Sequence, residues 1–142
     1  MDLFRSMVYA FGTAGTGGFG IDAGGLQSFA PSTQYTIAIF MLVFAVNFSL
    51  YYLILVFNFK EVFKNEELRT FIILVVGCVT FITIYLFFTF RNTAAHLTFE
   101  ESFRHSLFQV ASIISTTGFA TCDFIQWPTV CLMLLIFLTF TG

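Results

Sequence analysis

Charged residues are scarce in this sequence, and their scarcity limits what the chain can be. Only 10% of the 142 residues are Asp, Glu, Lys or Arg, while 58% are apolar, whereas ordinary soluble domains are roughly 25% charged. A soluble globule of this composition would have too little charge to cover its surface. The net charge of −2 is small and the six basic residues are scattered, so no nucleic-acid partner is indicated.

Catalytic and metal-binding patterns are also missing from the sequence. Cys78, Cys122 and Cys131 show neither CxxC nor metal-ligand spacing, so we interpret them as packing residues rather than disulfide or transition-metal residues. There is no Ser-His-Asp set and no pair of acids placed for catalysis. His96 and His105 are expected to be surface residues rather than metal ligands. No signal peptide is recognisable. The sequence therefore predicts neither an enzyme nor a bound cofactor.

Three long neutral stretches are the dominant positive feature. Tyr35–Phe59 has 25 residues, Thr70–Phe90 has 21 and Phe124–Gly142 has 19. A helix of roughly 20 residues crosses about 30 Å of hydrocarbon, whereas a buried helix of a soluble protein usually keeps a polar face. We therefore predict an all-α, multi-pass protein of the plasma membrane, in contact with lipid.

A charged segment, Lys60–Arg69, separates the first two stretches. It holds three of the six basic residues, which places it in the cytoplasm by the positive-inside rule. It divides the chain into one unit over residues 1–59, a connector over 60–69 and a second unit over 70–142.

A short helix is predicted between the second and third stretches. Thr98-Phe-Glu-Glu101 is a capping box, and the apolar pattern continues for about 16 residues before Ser115-Thr-Thr-Gly-Phe-Ala120. A helix of this length cannot cross the membrane and return. The simplest solution is a re-entrant loop, in which a pore helix is followed by an extended return that lines a path through the protein.

An internal repeat places a similar loop near the N-terminus. A shift of 100 residues superposes Ser6 on Ser106, Thr16 on Thr116, Gly18 on Gly118 and Phe19 on Phe119. In both copies a proline, Pro31 or Pro128, precedes a long apolar stretch. The predicted fold is thus a repeated unit of transmembrane helix, pore helix, filter loop and transmembrane helix, as in potassium channels.

The two return loops carry the only chemistry that the sequence offers. An ion in the bilayer must exchange its water shell for fixed oxygens, and carbonyls of a Thr-x-Gly-aromatic-Gly loop can supply them. Glycine frees the backbone to direct the carbonyls, and the negative ends of the preceding helices favour a cation. We expect the two phenylalanines to wedge the loops from behind. The residues predicted to bind potassium through their backbone are Thr16, Gly17, Gly18, Phe19, Thr116, Thr117, Gly118 and Phe119.

Other interpretations of these loops remain open. They could be glycine-rich turns that only pack. Gly15–Gly20 also fits the G-x-G-x-x-G dinucleotide pattern, although that pattern requires a preceding strand and an acid about 20 residues further on.

Several polar residues near the loops and spans also have two interpretations. Asp22 and Asp123 either attract cations at the outer mouth or act as cap and turn residues. Asn47, Ser49 and Asn58 either bond between helices or, in the case of Asn47, face the ion path.

Four stretches of the sequence resemble the Trk/Ktr/HKT superfamily of potassium transporters, and within it the bacterial TrkH-like members. The similar stretches are Ala10–Ile21, Phe40–Tyr52, Asn65–Arg69 and Phe108–Pro128. The resemblance implies a chain of four repeats around a central path, of which this sequence covers parts of the second and third. Gly18 and Gly118 match the filter glycines of that family, whereas Ala120 replaces the glycine found at position 20.

The resemblance also implies a function and partners. It implies potassium transport, with potassium as the substrate, together with the remaining repeats of the parent chain, a homodimer and a cytosolic nucleotide-binding regulatory subunit. The alternatives are a weakly selective path for sodium and other monovalent cations, and a non-conducting structural membrane protein.

Overall fold

The computed structural model describes residues 2–21, 25–56, 65–90 and 97–141. Within these ranges the regular structure is entirely helical, which agrees with the predicted all-α class. The elements are α1 (Leu3–Ala14), α2 (Pro31–Ala45), α3 (Phe48–Leu55), α4 (Glu66–Phe90), α5 (Phe99–Ile114), a 3₁₀ turn (Phe124–Gln126) and α6 (Thr129–Thr139).

Helix α4 is the one helix among the described residues that is long and apolar enough to cross a membrane. Its 25 residues extend about 37 Å, and its most apolar 18 have a mean hydropathy of 2.7. Only 28% of that stretch is buried, and large apolar side chains such as Ile73, Val76 and Phe88 are exposed. Such an apolar exterior suits contact with lipid. Helices α2 and α6 are shorter apolar helices.

The first neutral stretch does not form the single helix that its composition predicts. Helix α2 ends at Ala45, Val46 is extended, and α3 begins at Phe48. The amide of Asn47 lies between the two helices, and its Nδ2 donates to both carboxylate oxygens of Glu67 on α4, at 3.1 Å each. The break therefore places a polar side chain where it bonds another helix, one of its two predicted roles. The side chain of Ser49, and all of Asn58, lie outside the described residues.

The last neutral stretch also begins differently from the prediction. Residues Phe124–Gln126 form the 3₁₀ turn rather than the start of a long helix, and α6 begins only after Pro128. Proline suits this position because it has no backbone N–H to donate, and the first turn of a helix requires none.

The start of α5 confirms the predicted capping box. The Thr98 side chain accepts a hydrogen bond from the Glu101 N–H at 3.3 Å, and the Thr98 N–H donates to Glu101 Oε2 at 2.9 Å. The helix then runs for 16 residues to Ile114. Its length excludes a full crossing of the membrane.

We expect Thr98→Ala to destabilise the protein by about 1 kcal/mol, because one N–H of the first turn loses its acceptor. Thr36→Ala is the matched control, since the exposed Thr36 hydroxyl bonds only Ser32 O within its own helix. Thermal unfolding in detergent measures both variants. Equal midpoints for the two would show that the capping box contributes nothing.

The same capping box gives a pH dependence. Hydrogen bonds from Thr98 hold the pKa of the Glu101 carboxyl below its usual 4.5. Because the pKa of Glu101 is lower in the folded protein than in the unfolded chain, its ionised carboxyl stabilises the folded state above the unfolded pKa. This stabilisation is lost as the pH falls through the folded-state pKa. We therefore expect the wild type to lose stability relative to Glu101→Gln, which cannot titrate, on acidification below about 4.5. Parallel unfolding curves for the two proteins would contradict this.

Helix α5 lies at the centre of the described structure, in contact with α2, α4 and α6. One hydrophobic cluster joins α4, α5 and α6, with Ile82, Leu86, Val110 and Cys131 fully buried. A second cluster joins α1 and α2 to α5. It contains Tyr9, Leu26, Ile37, Ala38, Met41, Phe108, Ala111 and Phe119. The first cluster therefore holds α4, α5 and α6 together, and the second cluster packs α1 and α2 against α5.

Candidate ion-binding loops

Helices α1 and α5 end in the same backbone motif, 100 residues apart. The Thr16 N–H bonds Thr13 O and the Gly17 N–H bonds Gly12 O; the Thr116 N–H bonds Ile113 O and the Thr117 N–H bonds Ser112 O. These are the two hydrogen bonds of a Schellman motif, which closes a helix C-terminus. The structure therefore repeats at the offset found in the sequence. A helix, α1, precedes Gly15–Gly20, so the strand that a dinucleotide fingerprint requires is absent from this described segment.

Both Schellman motifs place a threonine where glycine is usual. Thr16 has φ 47° and Thr116 has φ 55°, in the left-handed region. A β-branched residue there is an outlier, and such strain costs about 1–3 kcal/mol. The same strain occurs at equivalent positions of the two loops, which makes these threonines candidates for a functional role.

The next turn of each loop contains a glycine with positive φ. Gly18 has φ 66° and Gly118 has φ 81°. A Cβ on Gly18 would collide with the carbonyl oxygen of Thr117, whereas a Cβ on Gly118 would meet open space. The two loops therefore touch at Gly18, and the second loop has an open side at Gly118.

The second loop alternates between open and buried residues. Thr116 and Gly118 are exposed, while Thr117 and Phe119 are 3% and 5% exposed. The Thr117 hydroxyl lies 2.7 Å from that of Ser115, which holds this side chain on the buried side. The side of the loop with Thr117 and Phe119 is therefore packed against the protein, and the side with Thr116 and Gly118 is exposed.

The two phenylalanines have different surroundings. The Phe119 ring packs 5.6 Å from the ring of Tyr9 and against Gly12, both on α1, as a wedge behind the loop would. Phe19 is 78% exposed among the described residues, so its role as a wedge stays a prediction. Phe119 differs because α1 lies beside it.

The last two carbonyls of the second loop are engaged by the protein. Phe119 O accepts a hydrogen bond from the buried Ser112 hydroxyl at 2.6 Å, and Ala120 O accepts one from the Leu26 N–H at 3.2 Å. The bond to Leu26 ties the second loop to the turn that follows the first.

Two acids were candidates for the outer mouth. The Asp123 carboxylate accepts from the Ile125 N–H at 3.3 Å and from Gln126 Nε2 at 2.9 Å, so its observed contacts are those of a cap on the 3₁₀ turn. Asp22 and His96 lie outside the described residues.

The expectation that His105 is a surface residue is wrong. His105 is half-buried, and its Nδ1 lies 3.0 Å from Thr121 Oγ1. Burial lowers its pKa, and the nearby Arg104 lowers it further. Its position on the inner side of α5 follows from the helix repeat, which turns residue 105 towards the loop.

A polar cluster that sequence reasoning missed joins the two repeats. Gln34 on α2 is 1% exposed, and its Nε2 donates to Leu26 O at 2.9 Å and Phe29 O at 3.2 Å. Its Oε1 accepts from Arg104 Nη1 at 2.8 Å, and Arg104 Nε lies 3.2 Å from Glu100 Oε1. Both polar atoms of the buried Gln34 amide are therefore hydrogen-bonded, Nε2 to the turn before α2 and Oε1 to α5.

No group of His, Cys, Asp and Glu side chains that could hold a metal ion occurs among the residues the structure describes. Cys78 and Cys122 are half-buried and Cys131 is buried. Burial raises the pKa of the Cys122 thiol to about 11, so this thiol stays protonated near neutral pH. The loops therefore offer backbone and hydroxyl oxygens, which are ligands for a hard cation.

Two similar loops, each following a helix C-terminus, lie beside a long apolar helix, so the described residues form an all-α arrangement of pore-loop-like units. No protein-family model matches the chain. The chain is 31% identical, over 144 residues and its whole length, to the Trk system potassium uptake protein TrkH of Escherichia coli K12. It is also 28% identical over 147 residues to TrkG of the same organism.

A solved structure gives the same result. The chain matches the crystal structure of the potassium transporter TrkH from Vibrio parahaemolyticus with a TM-score of 0.84 and 28% identity, over 99% of this chain and 30% of that one. The chain is therefore TrkH-like along its length. It spans 29% of the length of the curated relatives it matches.

Proposed function

We propose that the protein containing this chain moves potassium across the plasma membrane, and that the ion passes along the two loops, residues 16–19 and 116–119, and contacts the backbone oxygens that they leave exposed. The observation that carries this proposal is the repetition of one strained loop. Thr16 and Gly18 share positive φ with Thr116 and Gly118, and the two loops touch. Each loop follows a helix C-terminus, and the loops are in contact where Gly18 lies against the Thr117 carbonyl oxygen.

The electrostatics of the loops favour a cation. The C-termini of α1 and α5 carry a partial negative charge of about half an electron each, and both point into the loops. Asp123, which follows the second loop, caps the 3₁₀ turn and its carboxylate adds negative charge near that loop. Selection would then depend on how rigidly the loops hold their oxygens.

The organisation of the whole protein follows from the family resemblance and is part of this proposal. Residues 1–59 and 70–142 act as parts of two pore repeats, joined by a cytoplasmic connector over 60–69, and the remaining repeats complete the path. The proposal includes a multi-pass chain, a homodimer and a cytosolic nucleotide-binding regulatory subunit. Both relatives in Escherichia coli are named as potassium uptake proteins.

Rubidium uptake by the complete protein tests the proposal. In cells that lack other potassium uptake, we expect rubidium to enter and potassium to compete with it more strongly than sodium does. Equal competition by sodium would favour the weakly selective path. If neither ion enters faster than in cells with an empty vector, the chain belongs to a non-conducting membrane protein and the proposal fails.

A further inference from the structure

The hydroxyl of Ser112 contacts the filter loop from behind. Ser112 lies on the last turn of α5, is 0% exposed, and donates to Phe119 O at 2.6 Å. Because a hydroxyl donor lies close to its acceptor along the lone-pair direction, the Phe119 carbonyl must point back towards α5. The loop at Gly118, by contrast, has open space beside it.

The equivalent position in the first repeat has no hydroxyl. It is Gly12, and a Cβ there would lie 3.1 Å from Phe19 O. The Phe19 carbonyl thus also faces its own helix, but no side chain at position 12 can donate to it.

The difference between glycine and serine at this position has a second structural effect. A Cβ on Gly12 would lie 3.1 Å from Phe119 Cζ, so the absent side chain makes room for the ring from the second loop. Phe119 is therefore held at two points. The first repeat holds its ring, and Ser112 of its own repeat holds its carbonyl.

We propose that Ser112 is a positioning residue that keeps the Phe119 carbonyl out of the ion path, so that the second loop presents the oxygens of Thr116, Thr117 and Gly118 only. This inference rests on the proposed function. Ala120 O, bonded to the Leu26 N–H, is withdrawn in the same way. The first loop, with Gly12, has no equivalent bond and leaves Phe19 O freer to turn.

The expected consequence of losing this bond is a change in selectivity. Without the hydroxyl, the buried Phe119 carbonyl lacks its donor, and its peptide gains by rotating towards the path, where water or an ion can solvate it. An additional mobile oxygen in the filter would loosen the fixed arrangement that excludes sodium. A hydrogen bond of this kind shifts an equilibrium by about tenfold.

The test is Ser112→Ala in the complete protein, with rubidium uptake measured against sodium competition. We expect the rubidium-to-sodium preference to fall by about threefold to tenfold. Ser106→Ala is the matched control, because Ser106 is equally buried on the same helix and its hydroxyl bonds only Ser102 O, at 2.6 Å. We expect that control to keep the wild-type preference.

Ser112→Cys provides a second variant that keeps a weak donor at this position, with a somewhat larger sulfur in place of the oxygen. It should give a preference between those of the wild type and Ser112→Ala. A merely structural role would lower the uptake of both ions together and leave their ratio unchanged, which would overturn the inference. The inference would also be overturned if the wild type is selective and both Ser112→Ala and Ser106→Ala have the same rubidium-to-sodium preference as the wild type. A wild type that takes up no rubidium would instead refute the proposed function.

Discussion

Replacing Gly18 by alanine is expected to reduce rubidium uptake by more than tenfold. The new Cβ would collide with the Thr117 carbonyl oxygen of the neighbouring loop, and backbone cannot yield as a flexible side chain can. Alanine at position 18 would also have to keep φ near 66°, and this left-handed conformation costs about 1–2 kcal/mol for a residue with a Cβ. The two loops would have to separate, and the oxygens that they present together would move apart.

Alanine substitutions at two other glycines distinguish the effect of the collision from the effect of the left-handed backbone. Gly118→Ala has a similar conformational cost at φ 81° but meets open space, so we expect a smaller fall in uptake than for Gly18→Ala. Gly77→Ala on α4 has no neighbour within 4 Å of the added Cβ and should transport as the wild type does. If Gly18→Ala transports as well as Gly77→Ala, the two loops do not meet as described.

Replacing Gln34 by leucine is expected to destabilise the protein by about 2 kcal/mol, because the change leaves one buried and two part-buried partners without their hydrogen bonds. Leu26 O and Phe29 O would lose their donor, and Arg104 Nη1 would lose its acceptor. Leucine is close to glutamine in size, so the loss comes from the hydrogen bonds and not from a cavity.

Gln27→Leu is the matched control for this change. Gln27 lies in the same turn between the first loop and α2 but is exposed, so the same substitution should leave stability nearly unchanged. Thermal unfolding of the complete protein in detergent compares the two. Equal midpoints would show that the contact between Gln34 and Arg104 does not hold the repeats together.

Features that depend on neighbouring residues could be predicted from the sequence. The capping box at Thr98 lies within four residues, and its side chains fold back on their own helix. The repeat was visible because Thr, Gly and Phe recur at one spacing, and the structure reproduces that spacing in its hydrogen bonds and positive φ values. The all-α membrane class followed from composition and the lengths of the neutral stretches, whereas the repeated unit required the capping box and the internal repeat.

Features that depend on distant partners could not be predicted. The break at Asn47 requires Glu67, 20 residues away, and Gln34 meets Arg104 across 70 residues. A single sequence gives no signal for either pair. The different surroundings of Phe19 and Phe119 arise in the same way, because which ring is buried depends on which repeat lies beside it. The sequence gives no signal for the contact between Gly12 and the Phe119 ring, which depends on the packing of α1 against the second loop.

The most direct test of the account is to locate thallium, a heavy substitute for potassium, in a structure of the complete protein by its anomalous scattering. We predict a peak beside the backbone oxygens of residues 16–18 and 116–118, on the open side of Gly118. A map in which those loops carry no peak and face lipid, while thallium binds elsewhere along the chain, would contradict it.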